Sequence, residues 1–153
     1  MHPDWIELLQ LLRSHEVKFL VVGSTALAVH ARPRYTEDID LWLEKTEENV
    51  HRLCEALNEF GLSIEEAKLR PFWQEERQMV TLGSKPQRID LLNFMAEDSF
   101  EDAWGRGVFA EFSGVEVKVI GMEDFIRAKR AAGRPKDLAD LELMREVLGD
   151  LPG

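Results

Sequence analysis

The sequence contains little that could cross-link the chain or anchor it in a membrane. Cys54 is its only cysteine, which excludes a disulfide framework or a cysteine-rich zinc site. Apolar runs such as Phe19–Val22 are far shorter than the roughly 20 residues that cross a bilayer. The acidic start, Met1–Asp4, does not resemble a signal peptide. We therefore expect a cytoplasmic protein with no membrane partner and with Cys54 packed in its core.

Positive charge is also scarce. Nineteen basic and 29 acidic residues give a net charge of −10, which argues against a broad nucleic-acid-binding surface. The exception is the segment 127–136, which carries five basic and no acidic side chains. This segment would suit a polyphosphate, with Lys129 the first candidate for a phosphate contact and Lys136 the second. The alternative is a solvated helix end, where positive charge is also favourable.

The apolar periodicity of these 153 residues predicts a single domain, 1–153, with residues 122–149 as a C-terminal helical portion. The predicted helices are an opening amphipathic helix around Trp5–Leu12, Thr25–His30, a helix capped by Thr46 and ended by Gly61, Met122–Ala132 and Asp137–Leu148. The predicted strands are Phe19–Val22, Asp38–Leu43, Met79–Leu82, Arg88–Phe94, Val108–Phe112 and Val115–Ile120, the last two joined by a Ser113-Gly114 hairpin turn. This order favours an α+β (mixed α/β) fold, in which a mixed sheet carries flanking helices and C-terminal helices.

A strand, a turn and a helix meet at Gly23 and Ser24. The run Phe19–Val22 predicts a buried strand that stops at Gly23, and the residues after Ser24 are helical in character. Such a junction gathers free backbone N–H groups at a helix N-terminus, where a phosphate group binds well. Gly23 and Ser24 are therefore candidate phosphate ligands, whereas an ordinary helix cap is the alternative role for Ser24.

Two carboxylates follow on the next predicted strand. Asp38 and Asp40 are two residues apart, so their side chains share one face of the strand, about 6–7 Å apart along the chain. Ile39 and Leu41 point to the opposite face and into the core. Like charges this close repel, and a divalent cation such as Mg²⁺ relieves the repulsion while binding phosphate oxygens. A solvated edge strand carrying two acids is the alternative.

A third carboxylate, Asp90, interrupts the apolar strand Arg88–Phe94. A buried carboxylate without a partner is costly, so Asp90 needs one. If this strand lies beside the strand of Asp38 and Asp40, Asp90 completes a two-metal site. The alternative is that Asp90 pairs with Arg88 or with a backbone donor.

In this order, the Gly-Ser turn, the Asp-x-Asp pair and the later Asp resemble the nucleotidyltransferase superfamily of the polymerase-beta type. The closer resemblance is to the small AbiEii-like nucleotidyltransferases of bacterial toxin–antitoxin and phage-defence systems. The segments 22–41 and 129–140 carry this resemblance. In the second segment Asp137 and Asp140 share one helix face, and we expect them to cap the helix and to pair with Lys136 or Arg134 rather than to meet the substrate.

The resemblance implies transfer of a nucleoside monophosphate from an NTP, ATP included, to an acceptor hydroxyl, with pyrophosphate as the leaving group. It implies that Asp38 and Asp40 bind two Mg²⁺ ions and that Asp90 binds one and helps to deprotonate the acceptor. Gly23 and Ser24 would hold the terminal phosphates. RNA or tRNA, a protein hydroxyl and a small molecule all remain open as acceptors, and a toxin role would bring a cognate antitoxin as partner.

Two further hypotheses compete with this one. A non-catalytic module could bind a nucleotide or a partner through the same fold, because so short a chain has little material for acceptor recognition. A small-molecule acceptor, as in antibiotic-modifying adenylyltransferases, suits the acidic net charge, whereas the segment 127–136 favours RNA. Phe72 and Trp73 could stack on a base or an acceptor, although burial is the commoner fate of such side chains.

Overall fold

The computed structural model describes residues 1–152, so Gly153, the last residue of the predicted domain, lies outside the described residues. The helices are α1 (Pro3–Ser14), α2 (Gly23–His30), α3 (Glu47–Phe60), α4 (Pro71–Gln74), α5 (Phe100–Arg106), α6 (Met122–Ala132) and α7 (Pro135–Leu148), with a 3₁₀ helix at Glu66–Leu69. The strands are β1 (Phe19–Val22), β2 (Asp38–Leu43), β3 (Met79–Leu82), β4 (Arg88–Leu92), β5 (Val108–Phe112) and β6 (Val115–Val119). The six predicted strands are present, and β4 and β6 end two residues and one residue earlier than predicted.

The strands form one mixed sheet in the order β3-β4-β2-β1-β6-β5. β1 pairs with β6 and β2 with β4 in parallel, whereas the other neighbouring pairs are antiparallel. Helices pack against this sheet, so the predicted mixed α/β fold is confirmed. The register places Asp40 of β2 directly between Val22 of β1 and Asp90 of β4.

The core follows the predicted apolar pattern. Helix α1 buries Trp5, Leu8, Leu9 and Leu12, and it packs against α3. Helix α3 begins after Thr46, whose hydroxyl accepts a hydrogen bond from the Asn49 backbone N–H, and it ends at Gly61 as predicted. Cys54 is buried, which confirms its expected role in packing.

Two short helices were not predicted. Helix α4 buries Phe72, which confirms the burial expected for that side chain, whereas Trp73 packs against the core and is only partly buried. Helix α5 starts after Ser99, whose hydroxyl accepts from the Asp102 N–H. Among residues 1–152, none of the helices has the length and apolar character that a bilayer crossing requires.

Candidate active site

The parallel pairing of β2 and β4 brings Asp38, Asp40 and Asp90 together. Asp40 lies opposite Asp90, and one oxygen from each of the three carboxylates lies within 4.8 Å of the other two. Asp90 is only 2% exposed, whereas Asp38 and Asp40 are half-buried. Three hard oxygen ligands at this spacing fit a divalent cation such as Mg²⁺. The proximity of Asp90 to Asp38 and Asp40, which the sequence analysis made conditional on strand pairing, is therefore present. The catalytic roles of these residues remain predictions.

Asp40 is the carboxyl most affected by its neighbours. Burial raises the pKa of Asp40 to about 7, and the charges of Asp38 and Asp90 act in the same direction. A side-chain hydrogen bond with Asp90 adds to this increase, while the positive charge of Lys136 opposes it. A bound divalent cation would favour the ionised form, so without a cation the cluster carries a strong electrostatic cost.

Neighbouring side chains form hydrogen bonds and ion pairs with Asp38 and Asp90. Thr81 of β3 donates its hydroxyl hydrogen to Asp90 Oδ1 at 2.8 Å. Arg88 donates from Nη2 to Asp38 Oδ2 at 2.9 Å, and its Nε lies 3.3 Å from Asp90 Oδ2. The pairing of Asp90 with Arg88, which sequence reasoning set against metal binding, thus coexists with the carboxylate cluster.

The turn after β1 is shaped around Asp40. Gly23 has a φ of +68°, and a Cβ atom at this position would lie only 2.1 Å from Asp40 Oδ2. Glycine is therefore required here both by the backbone conformation and by the close carboxylate. Helix α2 begins at Gly23, earlier than predicted, and the cap position is Val22, so Ser24 is not the helix cap. Its hydroxyl instead accepts a hydrogen bond from Arg34 Nη2 at 3.0 Å.

The basic segment contributes side chains of two kinds. Lys129 is mostly buried, with its Nζ 3.2 Å from Asp137 Oδ1 and 3.0 Å from Asp140 Oδ2. Lys136 is exposed, and its positive charge opposes the rise in the pKa of Asp40. The structure therefore places Lys129 within an internal ion-pair network, whereas the charge of Lys136 acts on Asp40. Sequence reasoning had ranked Lys129 first as a phosphate contact.

Asp137 has the capping role that was expected. It accepts hydrogen bonds from the backbone and the guanidinium of Arg134 at the start of α7. Burial opposes ionisation of Asp137, but the hydrogen bonds from Arg134 and Lys129 outweigh that effect and lower its pKa. Asp140, fully buried, binds Arg34 Nη1, so one guanidinium connects α7 with Ser24.

One cavity of about 790 Å³, a size typical of ligand sites, is lined by the carboxylate cluster, the Gly23-Ser24 turn and the basic side chains Arg34, Lys129 and Lys136. It also contains a wall that sequence reasoning missed, formed by Arg77, Met79, Leu92, Phe94 and Met95. A partial signal was present, because Leu92 and Phe94 continue the period-two face of Asp90. The strand order that places β3 beside β4 could not be read from this pattern.

The fold is similar to that of a protein from Thermotoga maritima whose crystal structure is described as that of a candidate nucleotidyltransferase. The two chains are 16% identical, the match covers 93% of this chain and 92% of the other, and the TM-score is 0.62, which shows a common fold. No curated protein matches the sequence. Residues 2–152 match the family model described as "nucleotidyl transferase of unknown function" (DUF2204), which confirms the predicted nucleotidyltransferase identity. The chain therefore belongs to this nucleotidyl transferase family and is a transferase.

Proposed function

We propose that this protein is a Mg²⁺-dependent enzyme that transfers a nucleoside monophosphate from an NTP to an acceptor hydroxyl. The observation that carries the proposal is the cluster of Asp38, Asp40 and Asp90 within 4.8 Å, in the same cavity as the Gly23-Ser24 turn. Three clustered carboxylates repel one another, which costs stability without a cation, whereas a catalytic site needs them to bind the metal ions.

The three carboxylates would have different roles in the reaction. Asp38 and Asp40 would hold two Mg²⁺ ions, and Asp90 would share one of them. When bound, these ions neutralise phosphate charge and act as Lewis acids. Asp90 then accepts the proton of the acceptor hydroxyl, whose oxygen bonds to the α-phosphorus while the bond to the bridging oxygen breaks and pyrophosphate leaves. The chain's contribution is positioning and electrostatic stabilisation.

The turn beside the carboxylates would hold the leaving phosphates. The backbone N–H groups at the start of α2, together with the Ser24 hydroxyl, offer hydrogen bonds at the positive end of a helix dipole. Lys136 adds an exposed positive charge at the same cavity. Lys129 would contact phosphate by exchanging part of its pairing with Asp137 and Asp140, so its role combines charge with positioning.

A narrower version of the proposal is an AbiEii-like toxin that has a cognate antitoxin. It is supported by the segment 129–140, which forms one ion-pair network that includes Asp140 and places Lys129, Arg134 and Asp137 at the cavity. The acceptor would be RNA or tRNA, a protein hydroxyl or a small molecule. Because basic side chains are concentrated around the cavity while the net charge is −10, we expect contact with only a short part of any RNA.

The test is to incubate the protein with Mg²⁺, each α-labelled NTP and total RNA or cell lysate. The parent and an Asp102→Asn control, which changes an exposed acid outside the cavity, should transfer label. The Asp38→Asn/Asp40→Asn double variant should not. Absence of labelled product with every NTP, together with nucleotide binding that does not depend on Mg²⁺, would instead support the non-catalytic alternative.

A further inference from the structure

The cavity extends beyond the carboxylates, away from the phosphate-binding turn. Across the sheet the strands run in the order β1, β2, β4, β3, so Gly23, which directly follows β1, and Met79 of β3 lie on opposite sides of the carboxylate cluster. Met79 is paired with Leu92, two residues beyond Asp90, or about 6.6 Å along β4. This far side of the cavity has no role in the mechanism described above.

Its clearest feature is a cation–π contact between two side chains. The guanidinium carbon of Arg77 lies 5.0 Å from the centre of the Phe94 ring. Arg77 Nη2 also donates to Glu97 Oε1 at 2.5 Å and to the Ala96 carbonyl at 3.3 Å. Hydrogen bonds of a guanidinium lie in its plane, so these contacts hold its orientation without covering its faces. The guanidinium carbon lies over the Phe94 ring, and the in-plane hydrogen bonds leave the group able to stack on a ligand.

This arrangement contributes little to folding. The side chains of Arg77 and Glu97 are 47% and 91% exposed, and ion pairs with that exposure add little stability. Both Arg77 and Phe94 nevertheless line the cavity that contains the three carboxylates. A flat, cationic surface in such a cavity is suited to a planar, electron-rich ring.

We propose that the Arg77–Phe94 platform binds a nucleobase by stacking; this inference rests on the proposed function and names the chemistry of a further subsite. Nucleobases stack on arginine and aromatic planes, and the interaction tolerates all four bases. The distance along β4 from Asp90 leaves room for a ribose between the carboxylates and the platform. The stacked base belongs either to the NTP or to the terminal nucleotide of an RNA acceptor.

The test compares ligands that have and lack a base. Dissociation constants are measured by calorimetry, with Mg²⁺ present, for the four NTPs, for inorganic tripolyphosphate and for the dinucleotide ApA. The variants are Arg77→Ala, Arg77→Lys and the milder Phe94→Leu, with circular dichroism and thermal melting to confirm folding. Arg52→Ala is the matched control, because Arg52 forms an exposed pair with Glu48 on α3, outside the cavity.

Loss of one stacking contact should weaken binding roughly 5- to 150-fold. Weaker binding of NTPs by both Arg77 variants, with tripolyphosphate and the control unchanged, assigns the base to the donor. Weaker binding of ApA alone assigns it to the acceptor. Equal weakening of tripolyphosphate and NTPs, or no change with any ligand, would overturn the platform. A parent that binds ApA through Arg77 but binds no NTP would refute the proposed function and leave the platform standing.

Discussion

Replacing Gly23 with alanine should separate the geometry of the site from the stability of the fold. The backbone cost of a left-handed residue other than glycine is about 1–2 kcal/mol. The new methyl group would also lie 2.1 Å from Asp40 Oδ2, so the carboxylate must move. Turning that side chain off its preferred rotamer adds about 1 kcal/mol. We therefore expect Gly23→Ala to lose about 2–3 kcal/mol of folding free energy and at least about 100-fold in nucleotidyl transfer, because a 1 Å misplacement of a catalytic group has that effect.

Gly83→Ala is the matched control. Gly83 has a φ of +70°, nearly the same as Gly23, but an added Cβ would meet only the Gln87 carbonyl at 3.8 Å. It should lose the backbone term alone and keep parental Mg²⁺ affinity and transfer. Urea denaturation at constant pH measures the free energies of unfolding, and Mn²⁺ titration with label transfer measures the site. A Gly23→Ala variant with parental metal affinity and transfer would show that the position of Asp40 is not critical.

Three further predictions follow from the contacts of the site. Because the pKa of Asp40 rises on folding to about 7, the metal-free folded protein holds a proton that the unfolded chain releases, so stability should fall as pH rises from about 4 to 7. Asp40→Asn should flatten this part of the profile of melting temperature against pH, measured in EDTA. An unchanged slope would contradict the assignment of the raised pKa to Asp40. Thr81→Val removes the hydroxyl that donates to Asp90, so it should lower the free energy of unfolding, measured by urea denaturation, by about 1 kcal/mol and should weaken Mg²⁺ binding. Mg²⁺ affinity equal to that of the parent would show that this hydrogen bond does not orient the carboxylate. Lys129→Met removes a cation that pairs with the buried carboxylates Asp137 and Asp140, and it should lower the free energy of unfolding by about 3 kcal/mol. Lys136 is exposed, so Lys136→Met should change that free energy by less than about 0.5 kcal/mol and should reduce NTP affinity. Equal stability of the two variants would refute this division of roles.

Local patterns were sufficient to predict the strands and the longer helices. The strand Phe19–Val22 was bounded by Gly23, and α3 was bounded by Thr46 and Gly61, so propensity and caps agreed with the fold. The short helices α4 and α5 escaped prediction because four and seven residues are too few to show a helical period. Their positions depend on packing of the aromatic residues Phe72 and Phe100.

The site was predictable in its residues but not in its connections. Period two placed Asp38 and Asp40 on one face, and the position of Asp90 as a lone carboxylate in an apolar strand indicated that it needs a partner. The pairing of β2 with β4, however, depends on contacts distant in sequence. Lys129 shows the same limit. Its basic surroundings favoured a direct phosphate contact, whereas the fold places two buried carboxylates beside it, a relation that charge counting along the chain does not reveal.

The parallel pairing of β2 and β4 also has a consequence for folding kinetics. Parallel neighbours need a long crossover, and here the chain between Asp40 and Asp90 includes α3, α4 and β3. Contacts between residues so distant in sequence form slowly, because the loop-closure entropy must be overcome before the contacts stabilise the chain. The three carboxylates therefore meet only when the centre of the sheet has assembled. A chain interrupted before β4 would carry two of them and could not form the complete cluster, so tight divalent-cation binding would report in a refolding experiment that the sheet is complete.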